Sequence, residues 1–150
     1  AAAPYPGAIH DVDTAIPFGQ AAIARRGRDI TIATTGWAVQ QTVEAASALK
    51  QEDIEVEVLD LRTLVPLDRE TLVESSARTG RLLVVDEDYL SYGMSGELIA
   101  VVCEELWENR PRVARHALAD IPIPASKPLE DAVMPSPETI AAAARRLVHA

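Results

Sequence analysis

Apolar positions along the chain follow two alternating rhythms, and their order predicts an architecture. The β-branched run Ile30-Thr31-Ile32-Ala33-Thr34-Thr35 has strand character, and after Gly36 the spacing turns helical, with Val39, Val43, Ala46 and Leu49 sharing one face through Lys50. Between Ile54 and Leu61 the period returns to two. Ile54, Val56 and Val58 alternate with Glu55 and Glu57, which predicts a strand with one exposed face or an edge position. Pro66 ends that segment, Asp68 is placed to cap a helix with Leu72, Val73 and Ser76 on its buried stripe, and Gly80 stops it. Leu82 to Val85 is continuously apolar, as a parallel strand buried on both faces must be.

The turn Ser91-Tyr92-Gly93-Met94-Ser95-Gly96 leads into a helix predicted from about Ser95 to Asn109. Its middle, Leu98 to Cys103, is apolar almost all the way round, so it needs cover on more than one side, as at an interface. Pro111 precedes a short strand from Arg112 to Leu118, followed by a loop punctuated by Pro122, Pro124, Pro128 and Pro135. Ser136 as cap and Pro137 in the first turn begin a last helix that buries Ile140, Ala144, Leu147 and Val148. At the other end, residues 1–16 are rich in Ala, Pro and Gly without periodicity, which predicts a linker or extended arm before a domain over 17–150. Within that domain, Phe18–Arg25 followed by the turn Arg26-Gly27-Arg28-Asp29 predicts an antiparallel hairpin with the strand at Ile30. Strands alternating with helices over crossovers of this length build right-handed βαβ units, hence a mostly parallel sheet between helical layers.

Composition bounds the function classes. A chain of 150 residues with 48% hydrophobic residues is one domain with a real core, and no apolar stretch approaches the ~20 residues that span a bilayer. The first residues have no basic segment followed by an apolar one, as a secretory signal would. A formal net charge of −9 repels a phosphate backbone, and the arginines are scattered, with Arg25, Arg26 and Arg28 the only tight group. Nucleic acid is thereby excluded and a basic protein partner favoured. The single Cys103 has no disulfide partner within the chain, which is compatible with a bacterial cytoplasm.

In an open parallel sheet, ligands gather beyond the carboxyl ends of the strands. Those positions read Thr34-Thr35-Gly36, Asp60-Leu61-Arg62, Asp86-Glu87-Asp88 and Arg115-His116. The acidic triplet can hold Mg²⁺ or accept a phosphoryl group, the chemistry of a switch domain; against that, carboxylates at such a place commonly cap the next turn or pair with Arg62 or Arg115. Gly36, opening a helix, offers backbone N–H groups to an anion. No glycine-rich nucleotide motif occurs. Ser95 lacks the second glycine of a nucleophile elbow and reads as a helix cap. His10, His116 and His149 have no ligand-like spacing, Cys103 reads as a buried inert thiol, and Trp37 and Trp107 read as core or interface anchors.

Three stretches in order, Asp60 to Asp68 (DLRTLVPLD), Arg81 to Asp88 (RLLVVDED) and Pro128 to Ser136 (PLEDAVMPS), carry a resemblance. With the opening IPFGQAAIARRGRDITIATTG and the crossing IPIP, they resemble the C-terminal, transketolase-like domain of the β subunit of thiamine-diphosphate-dependent 2-oxo acid dehydrogenases, from about Ile16 to Val148. The resemblance implies a three-layer α/β/α sandwich with a five-stranded mixed sheet, mostly parallel with one antiparallel edge strand. It implies oxidative decarboxylation of a 2-oxo acid by the parent enzyme, with acyl transfer to lipoamide. Thiamine diphosphate and Mg would be held by other domains, and a pyrimidine-binding domain of about 200 residues is expected before Ala1. No catalytic residue carries over, because the activating glutamate belongs to that other domain. The implied partners are an α subunit and a second β subunit in an α2β2 tetramer, and the basic subunit-binding domain of the dihydrolipoyl acyltransferase. Residues placed to meet that basic domain are Glu104, Glu105 and Glu108, together with the carboxylate of Ala150. A transketolase or deoxyxylulose phosphate synthase is the alternative parent.

Overall fold

The computed structural model describes residues 15–150; the arm expected over 1–16 falls almost wholly outside them, as does His10. Five strands form one sheet: β1 (Ala22–Arg25), β2 (Ile30–Thr34), β3 (Val56–Asp60), β4 (Arg81–Tyr89) and β5 (Arg112–Leu118), in the spatial order β1-β3-β2-β4-β5. Three pairings are parallel, β2 with β3, β2 with β4 and β4 with β5, while β1 runs antiparallel along the outside of β3. The helices are α1 (Ala38–Leu49), α2 (Arg69–Thr79), α3 (Met94–Glu105), α4 (Lys127–Val133) and α5 (Pro137–His149).

Alternation along the strands explains why both faces are dry. Ile30 and Ile32 of β2, Val56 and Val58 of β3, and Leu83 and Val85 of β4 pack beneath α1 and α5 with Ala45, Leu49, Ile140 and Leu147. Their neighbours Ala33, Leu59, Leu82 and Val84 point the other way, onto Leu72 of α2 and Leu98 and Val102 of α3. The three-layer sandwich and the antiparallel edge strand inferred from the sequence are therefore present. Local stop and start signals act as expected: Asp68 caps α2, Gly80 ends it at φ 67°, and Ser136 with Thr139 forms a reciprocal cap on α5.

Two expectations are corrected. First, β1 does not form a hairpin with β2, because β3 lies between them. The connecting residues pass across the start of β3, where Arg28 N–H and Asp29 N–H both donate to the Glu55 carbonyl at 3.0 Å and the Asp29 carboxylate accepts from Glu55 N–H at 2.7 Å. Gly27 makes the crossing possible, since a Cβ there would stand 2.1 Å from the Val56 carbonyl carbon. Second, β3 has no exposed face. Glu57 is fully buried under α2, where Oε1 accepts from the Ser75 hydroxyl at 2.5 Å and from Arg78. The Thr31 hydroxyl joins that group through Ser75 at 2.7 Å and Thr79 at 2.8 Å. The Arg78 charge and the bonds to Oε1 offset part of the desolvation of this carboxylate, while Oε2 is buried without a hydrogen-bond partner among the described residues.

Candidate functional site

Chain reversal places the possible site. The connection from β2 to β3 runs through α1 on one face, and that from β4 to β5 through α3 on the other, so a crevice opens where β2 and β4 lie side by side. It has a volume of about 370 Å³ and is lined by Thr35, Gly36, Leu64, Asp86, Glu87, Asp88 and Met94. The acidic triplet expected at this place therefore does meet Gly36.

What the triplet does is capping. Asp86 is buried; Oδ1 accepts from Asp88 N–H at 3.0 Å and Oδ2 from Ser95 N–H at 3.1 Å, in the first turn of α3. Gly93 permits that approach, because a Cβ at that position would lie 2.9 Å from Asp86 Oδ2 and 2.3 Å from the Tyr89 carbonyl oxygen. Glu87 reaches across to α1, whose Ala38 N–H donates to Oε1 at 2.7 Å. Asp88 accepts from Tyr89 N–H at 2.7 Å. The anion site offered by the start of α1 is thus filled by the chain's own carboxylate, with the favourable sign for a helix amino end. Among the described residues the triplet makes no pair with an arginine; Arg115 instead donates to the Leu90 carbonyl at 2.8 Å. No group of three or more His, Cys, Asp and Glu among the described residues comes together to hold a metal ion.

The other candidates resolve individually. Ser95 is not the cap of α3; Gly93 occupies that position, and the Ser95 hydroxyl is buried without a partner among the described residues. Cys103 is half-buried, less enclosed than expected. Trp37 sits half-buried at the entry to α1, and Trp107 lies exposed with the Arg110 guanidinium 4.3 Å from its ring centre, so neither belongs to the core. His116 on β5 has Nε2 2.9 Å from the Thr139 hydroxyl, and its burial, together with the nearby Arg146 charge, holds the imidazole below its ordinary pKa. Glu104, Glu105 and Glu108 are exposed at the end of α3, and Glu105 makes an ion pair with Arg69 at 3.2 Å. Ala150 ends α5, in the opposite layer of the sandwich.

Sequence reasoning missed the apolar rim around the crevice. Phe18, Leu64, Val65, Leu90, Tyr92, Ile121 and Ile123 are all exposed. Hydrophobic side chains in proline-punctuated loops have no period, so only their density beside Pro66, Pro122 and Pro124 hinted at them.

A mostly parallel sheet with an antiparallel edge, helices on both faces, and a switch-point crevice whose carboxylates accept from backbone amides define an α/β domain. Residues 19–140 match the family described as "Transketolase, C-terminal domain", and the chain belongs to that family. It is 41% identical over 141 residues to the acetoin:2,6-dichlorophenolindophenol oxidoreductase subunit beta of Cupriavidus necator, covering 93% of this chain and 42% of that protein. It is 35% identical over 145 residues to the 2-oxoisovalerate dehydrogenase subunit beta of Bacillus subtilis, covering 95% and 44% respectively. Pyruvate dehydrogenase E1 component subunit beta-2 of Oryza sativa subsp. japonica is 37% identical over 148 residues, covering 97% of this chain and 39% of that one. The chain thus spans about two-fifths of these relatives. Among solved structures, a split-gene transketolase described as an inactive β4 tetramer superposes with a TM-score of 0.83 at 26% identity, covering 95% of this chain and 46% of that one.

Proposed function

We propose that this chain is the non-catalytic assembly and docking domain of the β subunit of a thiamine-diphosphate-dependent 2-oxo acid dehydrogenase. The parent enzyme decarboxylates a 2-oxo acid oxidatively and passes the acyl group to lipoamide. In it, thiamine diphosphate and Mg belong to domains other than this one. The domain holds an α subunit and a second β subunit in an α2β2 tetramer, and offers an acidic surface to the subunit-binding domain of the dihydrolipoyl acyltransferase. The observation that carries this reading is a pairing of facts. The relatives that align over nearly the whole chain are named as beta subunits of an acetoin:2,6-dichlorophenolindophenol oxidoreductase, a pyruvate dehydrogenase E1 component and a 2-oxoisovalerate dehydrogenase, and the carboxylates at the strand ends accept from backbone amides.

Charge supports the docking. A chain of net charge −9 steers a basic partner, and Glu104 and Glu108 stand exposed at the end of α3 without ion pairs among the described residues. Glu105 is already engaged by Arg69, so its reversal also sets two cations together. Charge reversal at Glu105 and Glu108, measured by titration calorimetry against the isolated acyltransferase docking domain, is expected to weaken binding by at least about tenfold at low salt. Unchanged affinity at low salt would remove the docking assignment. No helix among the described residues is long and apolar enough to cross a membrane, and a cytoplasmic bacterial location goes with this reading.

The superposition on a split-gene transketolase favours one second reading, the corresponding part of a transketolase. The parent protein separates the two: acyl transfer to lipoamide marks the dehydrogenase, and ketol transfer between sugar phosphates marks the transketolase.

A further inference from the structure

Basic residues gather at one end of this acidic chain. Carboxylates outnumber Lys and Arg by 23 to 14, yet the amino ends of β2, β3 and β4 are flanked by Arg25, Arg26 and Arg28, by Lys50, and by Arg78 and Arg81. Half of that group is committed within the fold. Arg78 pairs with the buried Glu57, and its Nη1 donates to the Gly27 carbonyl at 2.9 Å. Arg81 Nη1 donates to the Asp29 carbonyl at 3.2 Å, and Arg28 Nε stands 3.9 Å from the Asp29 carboxylate. The other half, Arg25, Arg26 and Lys50, lines one cavity.

That cavity lies between the outer strand β1 and the end of α1, with a volume of about 570 Å³; Ser47, Gln51 and Glu55 complete its polar wall, and Val43 supplies an apolar one. Arg25 is held in place there. Its Nη1 donates to the Ser47 hydroxyl at 3.1 Å, and that hydroxyl donates in turn to the Val43 carbonyl at 2.9 Å, so the guanidinium is fixed while its remaining N–H groups have no partner among the described residues. Lys50 has no ion pair among the described residues. Arg26 stands 4.0 Å from Glu57, a carboxylate that Arg78 already serves. Three cations against the single carboxylate of Glu55 leave the wall with a surplus of positive charge. The described chain enters the domain at the opposite end, where Gly19 N–H donates to Thr63 and Ala21 N–H to Asp68, and β1 runs from there toward the cavity.

We propose that this cavity binds a small phosphate monoester, its phosphate held by Arg25, Arg26 and Lys50 and its organic part set against Val43 beside Glu55. A phosphate monoester carries roughly −1.5 to −2 at neutral pH, which matches the surplus on the wall. Guanidinium forks offer paired N–H donors to two phosphate oxygens, and the Lys50 ammonium adds a point charge. The volume falls within the roughly 300–1,000 Å³ of small-molecule sites, so the phosphate leaves room for an organic group. Glu55 accepts a hydroxyl or amine of that group and repels a second anionic one, which selects against diphosphates. The cavity is separate from the strand-end crevice and from the acidic end of α3, and the proposal does not depend on the assembly reading.

Amide chemical shifts of the full 150-residue chain, titrated with glycerol phosphate at constant ionic strength, test the site. Saturable shifts are expected at Arg25, Arg26, Ser47, Lys50 and Gln51, with a dissociation constant below about 1 mM. Arg25→Gln and Lys50→Gln each raise that constant at least about tenfold, as loss of a charge-assisted hydrogen bond does, while the rest of the spectrum stays in place. Arg112→Gln removes the same charge from the start of β5, outside the cavity, and leaves the constant within about twofold. Inorganic phosphate shifts the same amides, and pyrophosphate binds more weakly than glycerol phosphate. No saturable shift with up to about 20 mM glycerol phosphate overturns the proposal. So does an Arg112→Gln variant that loses as much affinity as Arg25→Gln, which marks a diffuse field and no site. Binding that appears only in the variant Asp11→Asn, Asp13→Asn also overturns it, because the chain's own carboxylates then fill the cavity.

Discussion

Replacing Glu87 by alanine tests whether the strand-end carboxylates serve the fold. Its Oε1 is the acceptor for Ala38 N–H at 2.7 Å, and no side chain of α1 itself caps that helix. Removing a side-chain cap costs roughly 0.5–2 kcal/mol, and removing a negative charge from a helix amino end roughly another 0.3–1 kcal/mol. For a half-buried group the total should come to about 1–2 kcal/mol. Spread over a domain of this size, that lowers the melting temperature by about 2–8 °C. Urea unfolding followed by circular dichroism supplies the free energy, and amide hydrogen exchange at Ala38 supplies the location, because the uncapped N–H exchanges faster than in the parent chain. Glu87→Gln keeps an acceptor oxygen and loses only the charge, so it falls between the two. An alanine variant within about 0.3 kcal/mol of the wild type, with Ala38 exchange unchanged, would refute the capping role and reopen the crevice as an anion site.

Two further perturbations have signs fixed by the structure. Asp68 accepts from Thr71 N–H at 3.1 Å, from the Thr71 hydroxyl at 2.9 Å and from Ala21 N–H at 2.9 Å. Burial works to raise its pKa, but those hydrogen bonds from Ala21 and Thr71 together outweigh it and hold the carboxyl below its ordinary value. The stability it contributes is therefore present above the unfolded-state pKa and lost as pH falls through the folded one, so Asp68→Ala should lower stability by about 2 kcal/mol at neutral pH and flatten the acid limb of a stability–pH curve. His116 has the opposite charge on protonation. Its depressed pKa means that the unfolded chain takes up a proton first, so stability is full above the unfolded value near 6.5 and falls below it; His116→Gln should abolish that dependence in urea titrations across about pH 7 to 5.

Much of this fold could be read from local signals. Asp68, Gly80 and Ser136 act within three or four residues of themselves, so caps and stops were legible before any tertiary contact was known. The continuous apolar run from Leu82 to Val85 likewise announced a strand covered on both sides. What failed depended on distant segments. The partner of β1 is decided by β3, some thirty residues further along, so the turn at Gly27 looked like a hairpin and is a crossing. Glu57 looked solvent-facing because alternation reveals which residues share a face, and only α2 decides whether that face is wet. At the crevice the sequence located Asp86, Glu87, Asp88 and Gly36 together, yet their hydrogen bonds to Ala38 and Ser95 depend on how α1 and α3 begin in space. The apolar rim was the least legible feature, since loop hydrophobics have no period to detect.

The central claim is that this domain organises other polypeptides and lends no group to the reaction. Its most direct test is steady-state kinetics of the assembled parent dehydrogenase, with an artificial electron acceptor, carrying His116→Gln or Cys103→Ala in this domain. These replace the imidazole nearest the strand ends and the chain's only thiol. The account predicts kcat within about twofold of the wild type for both variants. A loss of about a hundredfold or more in either one, in enzyme that remains folded and fully assembled, would contradict it.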